Sequence, residues 1–346
     1  MYGLKQAPKQ WHEKFDSAIL SNGFVHNSSD KCMYSKFTKE YGVIVSLYVD
    51  DMFIFGMNMK GVCETKKNLS SMFQMKDLNE VDTILGIKIK RYSEGFALCQ
   101  SHYVEKVLQR FKLLNIKEVN TPFNQSIKLG ENTGSPIAQL EYVSAIGSMM
   151  YTIHCTRPNI SFLMGKLSRF TSNPSVDHWK TIGKVLGYLK KTISLRLFYS
   201  EFPAMLEGYS NTSWITSGSD NKSTSGWIFT LGRDIISWAS KKQMCISHST
   251  MESEFIVLAS ASKEAEWLTN MLLDIELWSQ PIPTISVFSD SEATMGRVYS
   301  KMYNGKSRHI GLRHDYIRQL IESGIISIAY IRSNSNLVNP FIKAVS

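Results

Sequence analysis

The apolar positions of the chain repeat at two periods, and each period predicts a type of element. At residues 10–20 large apolar side chains recur every four positions, which predicts a helix. At 43–47 and 52–55 two apolar runs flank the sequence Tyr48-Val49-Asp50-Asp51. This arrangement predicts a β-hairpin whose tight turn presents two adjacent carboxylates. A polar turn between buried strands, without further function, is the alternative interpretation.

After the hairpin, helical and strand patterns alternate. The sequence predicts a helix near residues 60–74, a strand pair at 84–89 and 96–99, and a helix over 103–111. A segment at 121–138 is rich in Pro, Gly, Ser and Asn and predicts a loop or linker.

Residues 140–192 have a helical pattern throughout. Asn173 as N-cap, Pro174 in the first helical position and Asp177 in the first turn predict the start of one helix. Its apolar positions recur every three or four residues, at Val176, Trp179, Ile182, Val185, Leu186 and Leu189. This spacing predicts a helix that packs by one face.

From about residue 206 the pattern changes to short strands around a long helix. The predicted strands are 227–231, 235–239, 284–288 and 325–331. The long helix carries an apolar stripe at Leu258, Ala261, Ala265, Leu268 and Leu272. Together these elements predict a mixed sheet flanked by helices.

Composition narrows the class of protein. A chain of 346 residues, 43% hydrophobic and 20% charged, predicts two or three globular domains. The net charge of +9 suits a polyanionic partner such as nucleic acid, although many soluble proteins are mildly basic. Five scattered cysteines without a Cys-x-x-Cys pair argue against a zinc site or a disulfide framework. The sequence has no secretory signal and no apolar run near the roughly 18 residues that span a membrane, so we expect an intracellular protein, cytoplasmic or nuclear.

Motifs along the whole chain carry a family resemblance. In chain order they include Leu4-Lys5-Gln6-Ala7-Pro8, Asn22-Gly23-Phe24, Tyr48-Val49-Asp50-Asp51, Ile84-Leu85-Gly86, Gln100-Ser101-His102-Tyr103, Cys155-Thr156-Arg157-Pro158-Asn159, Ser223-Thr224-Ser225-Gly226, Ile236-Ser237-Trp238 and Ser240-Lys241-Lys242-Gln243. In this order and spacing they closely resemble the Pol polyprotein of Ty1/copia-type long-terminal-repeat retrotransposons. The resemblance covers the C-terminal part of its reverse transcriptase and then its ribonuclease H.

The resemblance implies an α/β (α+β) chain of three domains. We expect a reverse transcriptase palm and thumb without fingers at 1–121, and a linker and helical connection at 122–204. A ribonuclease H-like mixed sheet flanked by helices would follow at 205–346. The implied partners are primer-template nucleic acid, an RNA–DNA hybrid and deoxynucleotides, with Mg²⁺ as cofactor.

In the polymerase half, the resemblance makes Asp50 and Asp51 catalytic metal ligands. Tyr48 would lie beside the primer terminus, Gln6 in the loop that contacts the incoming nucleotide, and Gly86 in the primer grip. Ordinary loop or turn residues are the alternative for these three. In the family the fingers and the first metal-binding Asp lie upstream of the segment at which this chain begins. Because two-metal catalysis needs acids from separate strands, we expect no polymerase activity from this chain alone.

In the nuclease half, the family uses four acids at one sheet edge, and two of the matching positions here are amides. Asn211 and Asn339 stand where the family pattern has Asp, and Asp290 is the third acid. For the second acid, Glu252 fits a capping box with Ser249-Thr250-Met251. We therefore assign the catalytic, metal-binding role to Glu254, which continues the apolar stripe to the start of the long helix.

His309 lies in a basic stretch with Arg308, Arg313, His314 and Arg318. By resemblance it could contact substrate phosphate, and a solvated helix face is the alternative.

Charge arithmetic decides the expected activity. A carboxylate about 4 Å from a divalent cation gains roughly 8 kcal/mol gross at an effective dielectric of 20. Desolvation cancels much of this, yet a net loss of only ~1.4 kcal/mol per amide weakens metal binding tenfold. We therefore expect a catalytically inactive copy of a reverse transcriptase/ribonuclease H. The alternatives are a non-catalytic nucleic-acid-binding relic or domesticated protein, and a polymerase half that works with fingers from another chain.

Overall fold

The computed structural model divides the chain into two compact units. One comprises residues 1–80 with 266–283, and the other 81–265 with 284–346. The described residues are all except 1–5, 124–128, 201–202, 204, 217–219, 277, 279–280, 301–307 and 344–346. The domain boundaries at 121/122 and 204/205 stay a prediction.

The first unit packs two helices on one face of an antiparallel sheet. Its elements are α1 (Ala7–Ser21), β1 (Val25–His26), β2 (Met33–Phe37), β3 (Gly42–Tyr48), β4 (Asp51–Gly56) and α2 (Met59–Met72). The sheet order is β1-β2-β3-β4. Phe15 and Ile19 of α1, Val43 and Val45 of β3, and Leu69 of α2 are buried in one core. The helix predicted at 10–20 and the β3–β4 hairpin are confirmed.

The second unit begins with a small antiparallel sheet. Its strands are β5 (Thr83–Ile84), β6 (Ile87–Tyr92), β7 (Gly95–Cys99) and, about a hundred residues later in the chain, β8 (Leu197–Ser200). The prediction of one continuous strand at 84–89 is wrong. Leu85 and Gly86 have φ of +49° and +71° and form a tight turn that pairs β5 with β6. A chain in the left-handed region cannot continue a strand.

A helical layer follows. It contains α3 (Ser101–Arg110), α4 (Gln139–Cys155), α5 (Ser161–Leu167) and α6 (Val176–Lys191). Apolar side chains of all four helices share one buried core. This confirms the helical pattern predicted for 140–192.

The predicted start of α6 is wrong by two residues. The N-cap is Ser175, not Asn173, and Pro174 lies before the helix. Ser175 Oγ accepts from the His178 N–H at 3.2 Å, and the Ser175 N–H donates to His178 Nδ1 at 2.9 Å. Asn173 instead exchanges hydrogen bonds with Asn132 in the preceding loop, so its side chain is not available to the helix.

The second unit ends in a five-stranded mixed sheet with helices. Its elements are β9 (Leu206–Ser213), β10 (Thr224–Leu231), β11 (Asp234–Lys242), α7 (Thr250–Leu273, of which the residues from 266 onward belong to the first unit), β12 (Ile285–Ser289), α8 (Glu292–Tyr299), α9 (Arg308–Glu322), β13 (Ile326–Tyr330) and α10 (Asn339–Ile342). The sheet order is β11-β10-β9-β12-β13. The first three strands are antiparallel, and β9, β12 and β13 are parallel. The predicted α/β class with a mixed sheet is confirmed.

The apolar stripe of α7 is buried as its spacing predicts. Leu258, Ala261 and Ala265 are fully enclosed, and Leu268 and Leu272 nearly so. In the part of the chain that the structure describes, no helix has the length and apolarity needed to cross a membrane.

Candidate active sites

The first candidate site is the turn of the β3–β4 hairpin. Tyr48 pairs with Asp51, which leaves Val49 and Asp50 as the two turn residues. Val49 has φ +53°, a strained conformation for a β-branched residue. The Trp11 indole Nε1 donates a hydrogen bond to the Val49 carbonyl at 2.7 Å. Both carboxylates and the Tyr48 ring are exposed, so the turn presents them to solvent as the sequence predicts.

Gln6 and Gly86 occupy turns in different units of the chain. Gln6 is exposed at the start of α1, where its carbonyl accepts from the Gln10 N–H at 3.0 Å. Gly86 shares its turn with Leu85, whose carbonyl accepts from the Tyr151 hydroxyl. A Cβ at Gly86 would meet Tyr103 at an ordinary 3.5 Å, so the positive φ, not crowding, is what favours glycine here. Their roles toward nucleotide and primer stay predictions.

The second candidate site is the edge of the five-stranded sheet. Tyr209 of β9 lies opposite Phe288 of the parallel β12, so Asn211 and Asp290, two residues further along, lie side by side. Gly226 of β10 pairs with Asn211 on the other side. A Cβ at Gly226 would come within 2.7 Å of Val338, so glycine at this position lets α10 approach the sheet. That approach places Asn339, the first residue of α10, at the same edge.

Hydrogen bonds join the four predicted positions into one cluster. Asn211 Nδ2 donates to Asp290 Oδ2 at 3.2 Å and to Asn339 Oδ1 at 3.3 Å. Asn211 Oδ1 accepts from the Thr212 N–H at 2.7 Å. The same N–H also lies 3.2 Å from Glu254 Oε1. Residues that are far apart in sequence therefore meet at one point, which is the arrangement the sequence predicts.

Glu254 is a buried acid of this edge, and its pKa is raised. Its side chain is 8% exposed, and its Oε2 atom is buried without a hydrogen-bond partner. Burial and then the neighbouring Asp290 charge raise the pKa of Glu254 to about 8, against the Thr212 N–H, which lowers it. In the absence of a cation this carboxyl is therefore mostly neutral near pH 7.

Glu252, the alternative second acid, is used by the helix terminus. Its Oε2 accepts from the His248 N–H at 2.6 Å, and its own N–H donates to Ser249 Oγ at 3.1 Å. This is the reciprocal exchange of a capping box, except that the Glu252 side chain accepts from the His248 N–H and not from that of Ser249. The geometry thus separates a capping glutamate from Glu254, which points to the cluster. The role of Glu254 as a metal ligand stays a prediction.

Sequence reasoning missed the residue that holds this edge together. Gln243, at the end of β11, is buried, and its Nε2 lies 2.9 Å from Ser225 Oγ and 3.0 Å from the Ser253 carbonyl. Thr212 Oγ1 and Ser253 Oγ are 2.9 Å apart in the same network. Gln243 thereby links β10, β11 and the first turn of α7, next to Glu254. A signal existed, because Gln243 ends the motif Ser240-Lys241-Lys242-Gln243, but a glutamine after a strand has no distinctive chemistry in a sequence.

The donor set at this edge does not fit a pair of divalent cations. Within the described ranges, no three His, Cys, Asp or Glu side chains are arranged to hold a metal ion. Asn211 presents an N–H donor where a cation requires an oxygen acceptor. His309 lies in α9, but its side chain is outside the described part of the structure, so its predicted phosphate contact is not addressed.

Comparisons with known proteins agree on one family. Residues 1–125 match the family model of reverse transcriptase (RNA-dependent DNA polymerase). A retrovirus-related Pol polyprotein from transposon TNT 1-94 of Nicotiana tabacum is 36% identical over 356 residues, which cover 100% of this chain and 26% of that protein. A Ty5-1 transposon protein of Saccharomyces cerevisiae is 30% identical over 76% of this chain and 87% of its own length.

A solved structure gives the fold independently. The foamy viral protease-reverse transcriptase in complex with dsDNA is 13% identical and matches with a TM-score of 0.50, over 97% of this chain and 60% of that one. This likeness concerns the fold alone. The chain spans about a quarter of the length of the first curated relatives that it matches.

Proposed function

The chain belongs to the reverse transcriptase family of Ty1/copia-type retrotransposon Pol polyproteins, and from this premise we propose that it is a polymerase–nuclease segment whose nuclease edge binds an RNA–DNA hybrid without cleaving it. The observation that carries the proposal is the Asn211 amide, which donates to both Asp290 and Asn339.

The amide takes the place that a cation has in a metal-dependent nuclease. Two carboxylates facing each other repel unless positive charge lies between them. Here the Asn211 N–H group supplies the partial positive charge, and Asn339 supplies a neutral oxygen. Hydrogen bonds within the edge therefore balance its negative charge without Mg²⁺. A cation entering it would have to break these hydrogen bonds and would gain fewer charged ligands in return.

The electrostatics point the same way. Each carboxylate lost to an amide weakens cation binding by about tenfold or more at a net ~1.4 kcal/mol. The raised pKa of Glu254 removes further negative charge near neutral pH. Asp290 is then the main charged group of the edge, and one carboxylate does not hold two divalent ions for phosphodiester hydrolysis.

Asp50 and Asp51 are the residues that would hold Mg²⁺ in the polymerase half. When bound, this ion neutralises the phosphates of an incoming nucleotide. The chain contributes a tight turn whose Val49 carbonyl accepts a hydrogen bond from the Trp11 indole, and on which both carboxylates and the Tyr48 ring are exposed to solvent. These roles are part of the proposal.

Cleavage and binding of a labelled RNA–DNA hybrid test the proposal together. Wild-type protein should shift the hybrid in fluorescence anisotropy in EDTA, and should leave it intact with Mg²⁺ or Mn²⁺. The variant Asn211→Asp/Asn339→Asp should bind similarly and gain metal-dependent cleavage. Robust cleavage by wild-type protein that is lost in Asp290→Asn would overturn the proposal, as would the absence of any hybrid binding.

A further inference from the structure

The small sheet of the second unit carries a basic and aromatic strip on one face. Lys88, Lys90 and Tyr92 alternate along β6 and so point to the same side. Lys90 is in register with Ala97 of β7, and Ala97 with Phe198 of β8. This register brings Phe198 to the same side, two positions from Arg196. We call these residues, Lys88, Lys90, Tyr92, Arg196 and Phe198, the β6–β8 strip.

Aromatic and guanidinium groups of the strip are already organised. The Arg196 guanidinium lies 5.0 Å from the centre of the Tyr92 ring, and Arg196 Nη1 donates to the Tyr92 hydroxyl. The Tyr92 and Phe198 rings are 5.8 Å apart. Ala97, which lies between Lys90 and Phe198 in the sheet, is fully buried. Tyr92 nevertheless remains 42% exposed, which leaves part of its ring open to a ligand.

The cations of the strip are exposed and form no ion pairs among the described residues. This holds for Lys88, Lys90 and Arg196. An open depression of about 520 Å³ adjoins Arg196 and is also lined by Lys191, Thr192 and Ser194. The acidic residues next to β6 are Glu94 in the β6–β7 turn and Asp82, whose carbonyl accepts from the Ile89 N–H, and both are exposed to solvent. Cations beside hydroxyl groups and an exposed ring match a phosphate backbone with unstacked bases.

We propose that the β6–β8 strip is a binding track for single-stranded nucleic acid, distinct from both acid clusters. Lys88, Lys90 and Arg196 contact phosphates, and the exposed part of the Tyr92 ring stacks on a base. Tyr92 already holds the Arg196 side chain in place. Binding a phosphate therefore costs less side-chain conformational entropy than it would for a mobile arginine. This inference rests on the proposed function only in taking nucleic acid, rather than an acidic protein, as the partner.

Salt-dependent binding of a short oligothymidylate tests the phosphate contacts. Lys90→Ala/Arg196→Ala should weaken binding at low salt and reduce the slope of log K against log salt by about 1.4, roughly 0.7 for each lost phosphate contact. The control Lys39→Ala/Lys180→Ala removes the same formal charge from exposed positions elsewhere. It should leave the slope nearly unchanged. Equal losses in both variants would show a net-charge effect and overturn the track.

Substitutions of Tyr92 test the stacking contact. Tyr92→Phe keeps the ring and should bind within about twofold of wild type, whereas Tyr92→Leu should bind about tenfold more weakly. Unchanged melting temperatures establish that these variants fold, and Lys88→Ala/Lys90→Ala, which removes the same formal charge, serves if the Arg196→Ala variant does not fold. Competition by polyglutamate as strong as by oligothymidylate would assign the strip to acidic proteins and contradict the proposal. If the protein binds the RNA–DNA hybrid but the strip variants bind oligothymidylate as the control variant does, the binding track is refuted and the proposed function is not. A wild-type protein that binds no nucleic acid would refute the proposed function as well.

Discussion

The two acid clusters of this chain differ in their surroundings, and this difference changes how much a carboxylate costs the fold at each place. Asp50 and Asp51 lie on an exposed turn, where water solvates both charges. Glu254 and Asp290 lie at a sheet edge, where Glu254 is almost fully buried. Exposed carboxylates cost the fold little when no cation is bound. Buried ones repel and lose solvation, so an amide in place of a carboxylate at the sheet edge removes a like-charge repulsion when no cation is bound.

The comparison fails if a charged Glu254 carboxylate does not destabilise the fold at the buried sheet edge. The variant Glu254→Gln measures this destabilisation. Between pH 4.5 and about 8 the folded chain holds a proton on Glu254 that the unfolded chain has already released. Wild-type stability should therefore fall as pH rises through this window, by about 5 kcal/mol at most. Urea denaturation across the window, without metal, should show that Glu254→Gln removes most of this fall.

Glu252→Gln is the matched control, since it makes the same change two residues away. Its side-chain oxygen can still accept from the His248 N–H, so it should keep both the cap and the wild-type pH dependence. If Glu254→Gln and wild type show the same pH profile, the edge is more solvated than its burial indicates.

Asn211→Asp sharpens the comparison by restoring one charge to the edge. Without a divalent cation it should lower the free energy of unfolding by about 2–3 kcal/mol, because a new carboxylate then faces Asp290 and the amide donor is lost. Added Mn²⁺ should recover part of the loss. Asn79→Asp, at an exposed position, should change stability little with or without metal. An Asn211→Asp variant as stable as wild type in EDTA would contradict the role given to the amide.

Val49→Gly tests the exposed turn and should have the smallest effect. It relieves a left-handed conformation that costs a β-branched residue about 1–2 kcal/mol, offset by about 0.5–1 kcal/mol of glycine chain entropy. A gain of about 0.5–1 kcal/mol in thermal denaturation is expected. A clear loss would show that the Val49 side chain supports the turn through contacts other than the backbone bond to Trp11.

Local patterns predicted most of the elements, and motif order predicted which residues meet at the sheet edge. The turn at Leu85-Gly86 was missed because apolar residues on both sides masked the break in a strand pattern. The N-cap of α6 was misplaced because Asn173 and Ser175 are both good caps, and a loop contact with Asn132 decides between them.

Long-range pairing was the other limit. In the sequence, β8 is a short apolar segment that follows a helix. Its partner β7 lies about a hundred residues earlier in the chain. Nothing local identifies that pairing or the strip that it completes. Likewise, Gln243 gains its importance from three elements that meet around it, which no periodicity records.

Calorimetric titration with Mn²⁺ tests the central claim most directly, namely that the sheet edge no longer holds divalent cations. The titration compares two proteins, one with the wild-type sheet edge and one with Asn211→Asp/Asn339→Asp. Both also carry Asp50→Asn/Asp51→Asn, so that the exposed turn does not bind Mn²⁺. In this background the otherwise wild-type edge should bind Mn²⁺ about a hundredfold more weakly than the Asn211→Asp/Asn339→Asp edge, a factor of ten for each carboxylate. Equally tight binding to both edges, abolished in each by Asp290→Asn, would contradict the account.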